Sequence, residues 1–174
     1  MKQMGRTKKL TLCALMTALA LALSYAERFI PLQLIVPLPG IKLGLANIVT
    51  LVAIYLLGGK SAFAIVVLRC FLGAVFGGGI TGFLFSVTGG LLAVAVMVGA
   101  ARLPWLSVFG VSILGAAAHN IGQICAAMAL MQSVYVGAYL PYLLAVGLVT
   151  GFATGSAGAG VLKGLSLAKR REYP

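Results

Sequence analysis

The sequence predicts an all-α integral membrane protein, a bundle of six helices in which two short ones flank an outward-facing cavity. Three observations carry that prediction. Of 174 residues, 61% are hydrophobic and only 9% are charged, with a mean hydropathy of +1.11, whereas soluble domains carry roughly a quarter charged residues. The apolar residues fall into six runs parted by Gly- and Pro-containing breaks. The basic residues gather at the chain ends and at those breaks rather than along the runs.

Crossing the hydrocarbon takes roughly 20 apolar residues in a helix. The runs cover residues 10–25, 43–57, 61–76, 81–100, 105–131 and 139–165. The second and third are short and read as helices beside a cavity rather than as full lipid-spanning rods. Gly58-Gly59-Lys60, Gly77-Gly78-Gly79 and Leu103-Pro104 end the runs, because Gly and Pro interrupt helices for entropic, steric and hydrogen-bond reasons. No polar or Pro-rich linker divides the chain, so residues 1–174 read as one transmembrane domain with basic tails at about 1–9 and 166–174.

An even number of spans puts both termini on one side. Lys2, Arg6, Lys8, Lys9, Lys60, Arg102, Lys163, Lys169, Arg170 and Arg171 then share the cytoplasmic face, ten of the thirteen basic residues, as the positive-inside rule requires. The expected location is the cell membrane with both termini cytoplasmic. The net charge of +11 follows from topology and contact with anionic headgroups, not from nucleic-acid binding. A basic start before an apolar run is also how a signal peptide reads. The length of the run from Leu10, and its continuation through residues 27–42 into another membrane segment, favour a retained first helix. Cys13, Cys70 and Cys125 lie far apart in apolar stretches and read as buried, inert thiols.

Polar residues inside a membrane are costly and mark function or pairing. Arg69, about 12 Å into the third helix at 1.5 Å per residue, needs a partner. That partner is either Glu27, the only acidic residue outside the C-terminal tail, or an anionic group on a bound solute. His119, Asn120 and Gln123 recur at helical spacing in the fifth helix, share a face, and either bond to neighbouring helices or line a solute cavity. The stretch Pro37 to Asn47 forms a rigid outer loop running into the second helix. Gly40 and Gly44 would expose backbone amides beside Lys42 at a helix N-terminus, which suits an anion; alternatively Lys42 snorkels to headgroups. Ala14, Ala18, Ala22 and Ala26 on the first helix, and Gly147, Gly151, Gly155 and Ala159 on the sixth, form small-residue stripes for close helix contact.

The chain has no P-loop, no Asp-rich metal-diphosphate motif and no Ser/His/Asp set, and only two carboxylates in all. It is therefore not expected to be an enzyme, to bind a metal or to need a cofactor.

The residues LTLCALMTALA from Leu10 to Ala20, PGIKLGLANIVTLVAIYLLG from Pro39 to Gly58, and His119-Asn120-Ile121-Gly122-Gln123 resemble the family labelled heptaprenyl diphosphate synthase component I, also called the Gx transporter family. The likeness covers nearly the whole chain. That family in turn resembles the substrate-capture (S) components of energy-coupling factor (ECF) transporters, six-helix proteins that bind a nutrient from outside. These work with a transmembrane coupling protein and two ATPases. The resemblance implies that Ala14, Ala18 and Ala22 dock the coupling protein. The synthase label conflicts with the absence of Asp and reads as that of a gene neighbour.

The resulting expectation is the S subunit of an ECF-type importer. Its cavity is lined by Glu27, Arg28, Lys42, Asn47, Arg69, His119, Asn120 and Gln123, and the excess of cations favours an anionic or carboxylate-bearing solute. The alternative is a noncatalytic membrane partner of a prenyl diphosphate synthase, or an isoprenoid-binding protein. An autonomous channel is a weaker third.

Overall fold

The computed structural model describes residues 5–29 and 42–171. Its helices are α1 (Arg6–Ala26), α2 (Asn47–Leu57), α3 (Gly59–Gly73), α4 (Gly79–Ala100), α5 (Val108–Met131) and α6 (Leu140–Arg171). Short 3-10 turns at Glu27–Phe29 and Val134–Tyr139 flank α1 and α6, and a π turn at Ala74–Gly78 follows α3. The described part of the molecule is all-helical, and five of its helical stretches are long and apolar enough to cross a membrane.

Local chemistry accounts for the boundaries. The α5 helix starts at Val108 rather than at residue 105, because the Ser107 Oγ accepts the Gly110 N–H at 3.2 Å and caps one of the first unpaired amides. The α2 helix starts at Asn47 rather than at residue 43, after a turn in which the Asn47 N–H donates to the Gly44 carbonyl at 2.8 Å. Gly44 holds φ +82° there, a left-handed conformation that only glycine adopts without strain. The expectation of two short helices holds for α2, at 11 residues. It holds as well for the third segment, where α3 has 15 residues and the backbone leaves helical geometry at Phe76 and at Gly77, which holds φ +96°. At the other ends, α1 begins at Arg6 and α6 runs on through Arg171, so much of each predicted tail is helical.

The α2 helix is the hub and touches the other five. Its Val49, Ala53 and Leu57 pack with Ala20 of α1, Ile65 and Val66 of α3 and Val94 of α4 in the main apolar cluster. The largest helix contacts are α4 with α5 and α5 with α6, and glycines set both. A methyl on Gly122 would lie 2.7 Å from the Thr88 carbonyl oxygen, and one on Gly151 would lie 2.8 Å from the Ile113 Cα. The small-residue stripe of α6 is thus an internal seam. That of α1 is not: Ala14, Ala18 and Ala22 are exposed, while Thr17 and Ala20 face the bundle. Exposed Leu15, Leu19, Phe71, Ile80, Val149 and Phe152 give the flanks an apolar coat, which a bilayer covers and water would not. Cys70 is buried as expected, but Cys13 is only half-buried and Cys125 is exposed on such a flank.

Candidate functional site

Glu27, Asn47, Arg69, Ser86, His119 and Gln123 are buried and lie toward the end of the bundle opposite the chain termini, where α1, α3 and α5 finish. Arg69 is 4% exposed, and a glycine at position 90 of α4 makes room for it; a methyl there would come 3.2 Å from its Nη2. Its Nη1 donates to the Ser24 Oγ of α1 at 3.0 Å. Its Nε and Nη2 have no hydrogen-bond partner among the described residues.

Of the two partners expected for Arg69, Glu27 does not pair with it among the described residues. Glu27 is buried, and its carboxylate accepts the Leu45 N–H and is also bonded by the Gly44 backbone. A backbone amide in a buried turn has no other acceptor and captures the carboxylate. The same bond corrects the expected anion site at the start of α2: the anion held by those amides is the chain's own. Gly40 lies outside the described residues. Burial pushes the Glu27 carboxyl above the usual carboxylate range, while the Leu45 N–H and the charges of Arg69 and Lys42 pull it back.

Lys42 turns inward rather than out to headgroups, and its Nζ donates to the Ser86 Oγ of α4 at 2.7 Å. Its peptide is clamped from α5. With the amide oriented by its partners, Gln123 accepts the Lys42 N–H at 3.1 Å and donates to the Lys42 carbonyl at 3.1 Å. The same Gln123 oxygen accepts the His119 Nε2–H at 3.2 Å. His119 and Gln123, one helical turn apart, therefore act together. Asn120 does not share their face: rotated by about 100° from His119, it donates to the Leu143 carbonyl of α6 at 2.6 Å and is a helix-to-helix bond. Asn47 is buried with both amide atoms unpartnered among the described residues, and a methyl on Gly44 would sit 2.9 Å from its Nδ2. The Arg28 side chain lies outside the described residues.

Between α1, α3 and α4 lies a cavity of about 330 Å³. Of the expected residues, Lys42 and Arg69 line it directly, together with Ser24 and Ser86. Glu27, His119 and Gln123 support it from behind by holding the turn that carries Lys42. Ala18, Leu21, Ala22 and Phe76 form its apolar wall. Ser24 and Ser86 are polar residues inside apolar runs, so the criterion that singles out Arg69 also reaches them. The apolar wall carries no such signal.

The family model for heptaprenyl diphosphate synthase component I matches residues 16–161. The chain belongs to that family. The match spans every residue that lines the cavity. No curated protein matches the chain, and no solved structure does. The family carries the name of a synthase component, and the chain itself contains no Asp. It is a helical membrane protein of that family.

Proposed function

We propose that this chain is a noncatalytic membrane subunit that holds a small acidic ligand in the cavity between α1, α3 and α4 and serves a prenyl diphosphate synthase as its membrane partner. The observation that carries the ligand is the charge balance. Arg69 and Lys42 both line the cavity, and Glu27 is the only carboxylate in the chain before residue 172. Even fully ionised it supplies one negative charge against two cations, and its oxygens already serve the Leu45 amide. Arg69 is 4% exposed with its Nε and Nη2 unpartnered among the described residues, a costly state for a buried cation that an acidic ligand would relieve. The synthase role rests on the family's name.

Native mass spectrometry of the full chain, extracted without added ligand, is the direct test, combined with capture of a soluble synthase. A retained acidic small molecule and a captured synthase are expected. A preparation that retains no small molecule and captures no synthase would end this reading.

One observation favours a second role for the same site, the S subunit of an ECF-type importer. The Ala14, Ala18 and Ala22 face that the S-component resemblance assigns to a coupling protein is exposed on α1 and is free for such contact. Co-purification with a transmembrane coupling protein and two ATPases, in place of a synthase, would select this role over the first.

A further inference from the structure

A second recess, of about 510 Å³, opens at the end of the bundle where the chain termini lie, between α2, α3 and α4. Lys60 stands in the first turn of α3 and Arg102 just past the last turn of α4, and both line it. The only carboxylate among the described residues, Glu27, is at the opposite end, where α1 finishes. The recess also has an apolar wall. Phe63, a turn further into α3, and Ile54, a turn before the end of α2, form its inner side, with Tyr55 beside them. Val98 closes it against the start of α3, so tightly that a methyl on Gly59 would lie 3.0 Å from the Val98 Cγ2. Lys60, Phe63, Val67 and Phe71 follow one another at spacings of three and four along one face of α3. Val67 and Phe71 are 46% and 58% exposed, so the apolar lining continues out of the recess and down the flank for about 12 Å beyond Phe63. A single cation at a helix end reaches bulk headgroups by snorkelling. Two in one hollow over a shared apolar wall make a seat for one molecule.

We propose that this recess binds one anionic phospholipid of the surrounding bilayer, a two-chain phosphodiester such as phosphatidylglycerol. Its phosphate lies between Lys60 and Arg102, and the start of one acyl chain runs over Ile54 and Phe63. The inference is independent of the acidic-ligand reading above, which concerns the other end of the bundle. Basic pockets between membrane helices at the headgroup level suit anionic lipid heads. The planar fork of Arg102 takes two phosphate oxygens, and the Lys60 ammonium approaches the same group as a point charge. A phosphatidylcholine head would bring a third cation into a hollow that already holds two. A free phosphate would leave Phe63 and the strip below it without a role. Bound there, the lipid ties the start of α3 to the end of α4.

The test uses the full chain in nanodiscs of phosphatidylcholine with a minor share of phosphatidylglycerol, released into native mass spectrometry under rising collisional activation. The expected result is one phosphatidylglycerol that stays bound after the other lipids are stripped. Lys60→Gln combined with Arg102→Gln removes the charge-assisted bonds and lowers its retention about tenfold; both side chains are exposed, so neither change disturbs the core. Lys8→Gln combined with Lys9→Gln, two exposed cations at the same end but outside the recess, leaves retention unchanged. Glycerol phosphate, the head without chains, does not displace the lipid when added in excess. Equal losses in the two double variants would reduce the contact to diffuse attraction by a basic surface and overturn the site. Displacement by glycerol phosphate would overturn the lipid in favour of a soluble phosphate. Retention of phosphatidylcholine in its place would overturn the part given to the two cations.

Discussion

Glu27 and Arg69 illustrate how one residue's chemistry is decided by competitors that composition does not reveal. The sequence offers Glu27 as one of two partners for Arg69, the other being an anionic solute, since no other carboxylate precedes the C-terminal tail. In the fold the Leu45 amide reaches the carboxylate first, because a turn of four residues before α2 leaves backbone donors with nowhere else to go. That turn depends on the left-handed Gly44, which apolar periodicity does not show. The expected consequence is that Glu27→Ala lowers stability by about 2–3 kcal/mol, the scale of a lost bond to a charged group. Glu27→Gln, which keeps an oxygen for the Leu45 N–H, costs less than half as much. Unfolding in mild detergent followed by circular dichroism measures both, and equal losses for the two variants would contradict the capping role.

Among the elements, the helices themselves were legible and their faces only partly so. Apolar runs and glycine breaks locate the helices of the described residues to within about six residues at either end. The third ends at Gly73 and a kink follows at Phe76 and Gly77, where the glycine run reads as a stop. On α5 the spacing groups His119, Asn120 and Gln123, and the fold divides them, two toward Lys42 and one toward α6. The glycine seams follow membrane packing logic directly. Gly122→Ala should lower stability by about 1–3 kcal/mol, the usual cost of overpacking, since its methyl would meet the Thr88 carbonyl and the Gly89 Cα. Gly160→Ala on α6, where nothing lies within 4 Å, should leave it unchanged. Thermal unfolding of the two variants side by side distinguishes a seam from a general preference for glycine.

For the whole molecule, charge asymmetry sets the expected orientation. Lys60 and Arg102 line one recess with Tyr55 where α3 begins and α4 ends, while Tyr135, 85% exposed, sits in the turn between α5 and α6 at the opposite end. With Cys13, Cys70 and Cys125 replaced by alanine, an impermeant maleimide added to intact cells should label Tyr135→Cys at once. It should label Lys60→Cys only after permeabilisation. The reverse pattern would invert the molecule and contradict the positive-inside assignment.

The shortness of α2 has a consequence for the depth at which the chain is not helical. At 11 residues it is about 16 Å long, roughly half the hydrocarbon thickness. Lys42 is clamped to Gln123, which lies eight residues before the end of α5 at Met131, so its peptide sits about 12 Å below that end. Irregular backbone so deep has no water to bond to. Glu27 and Gln123 take water's place for the amides of Leu45 and Lys42. Part of what reads in the sequence as a ligand shell is therefore solvent, carried by the protein for its own loop. Removing it would expose the loop to the membrane before it affected any ligand.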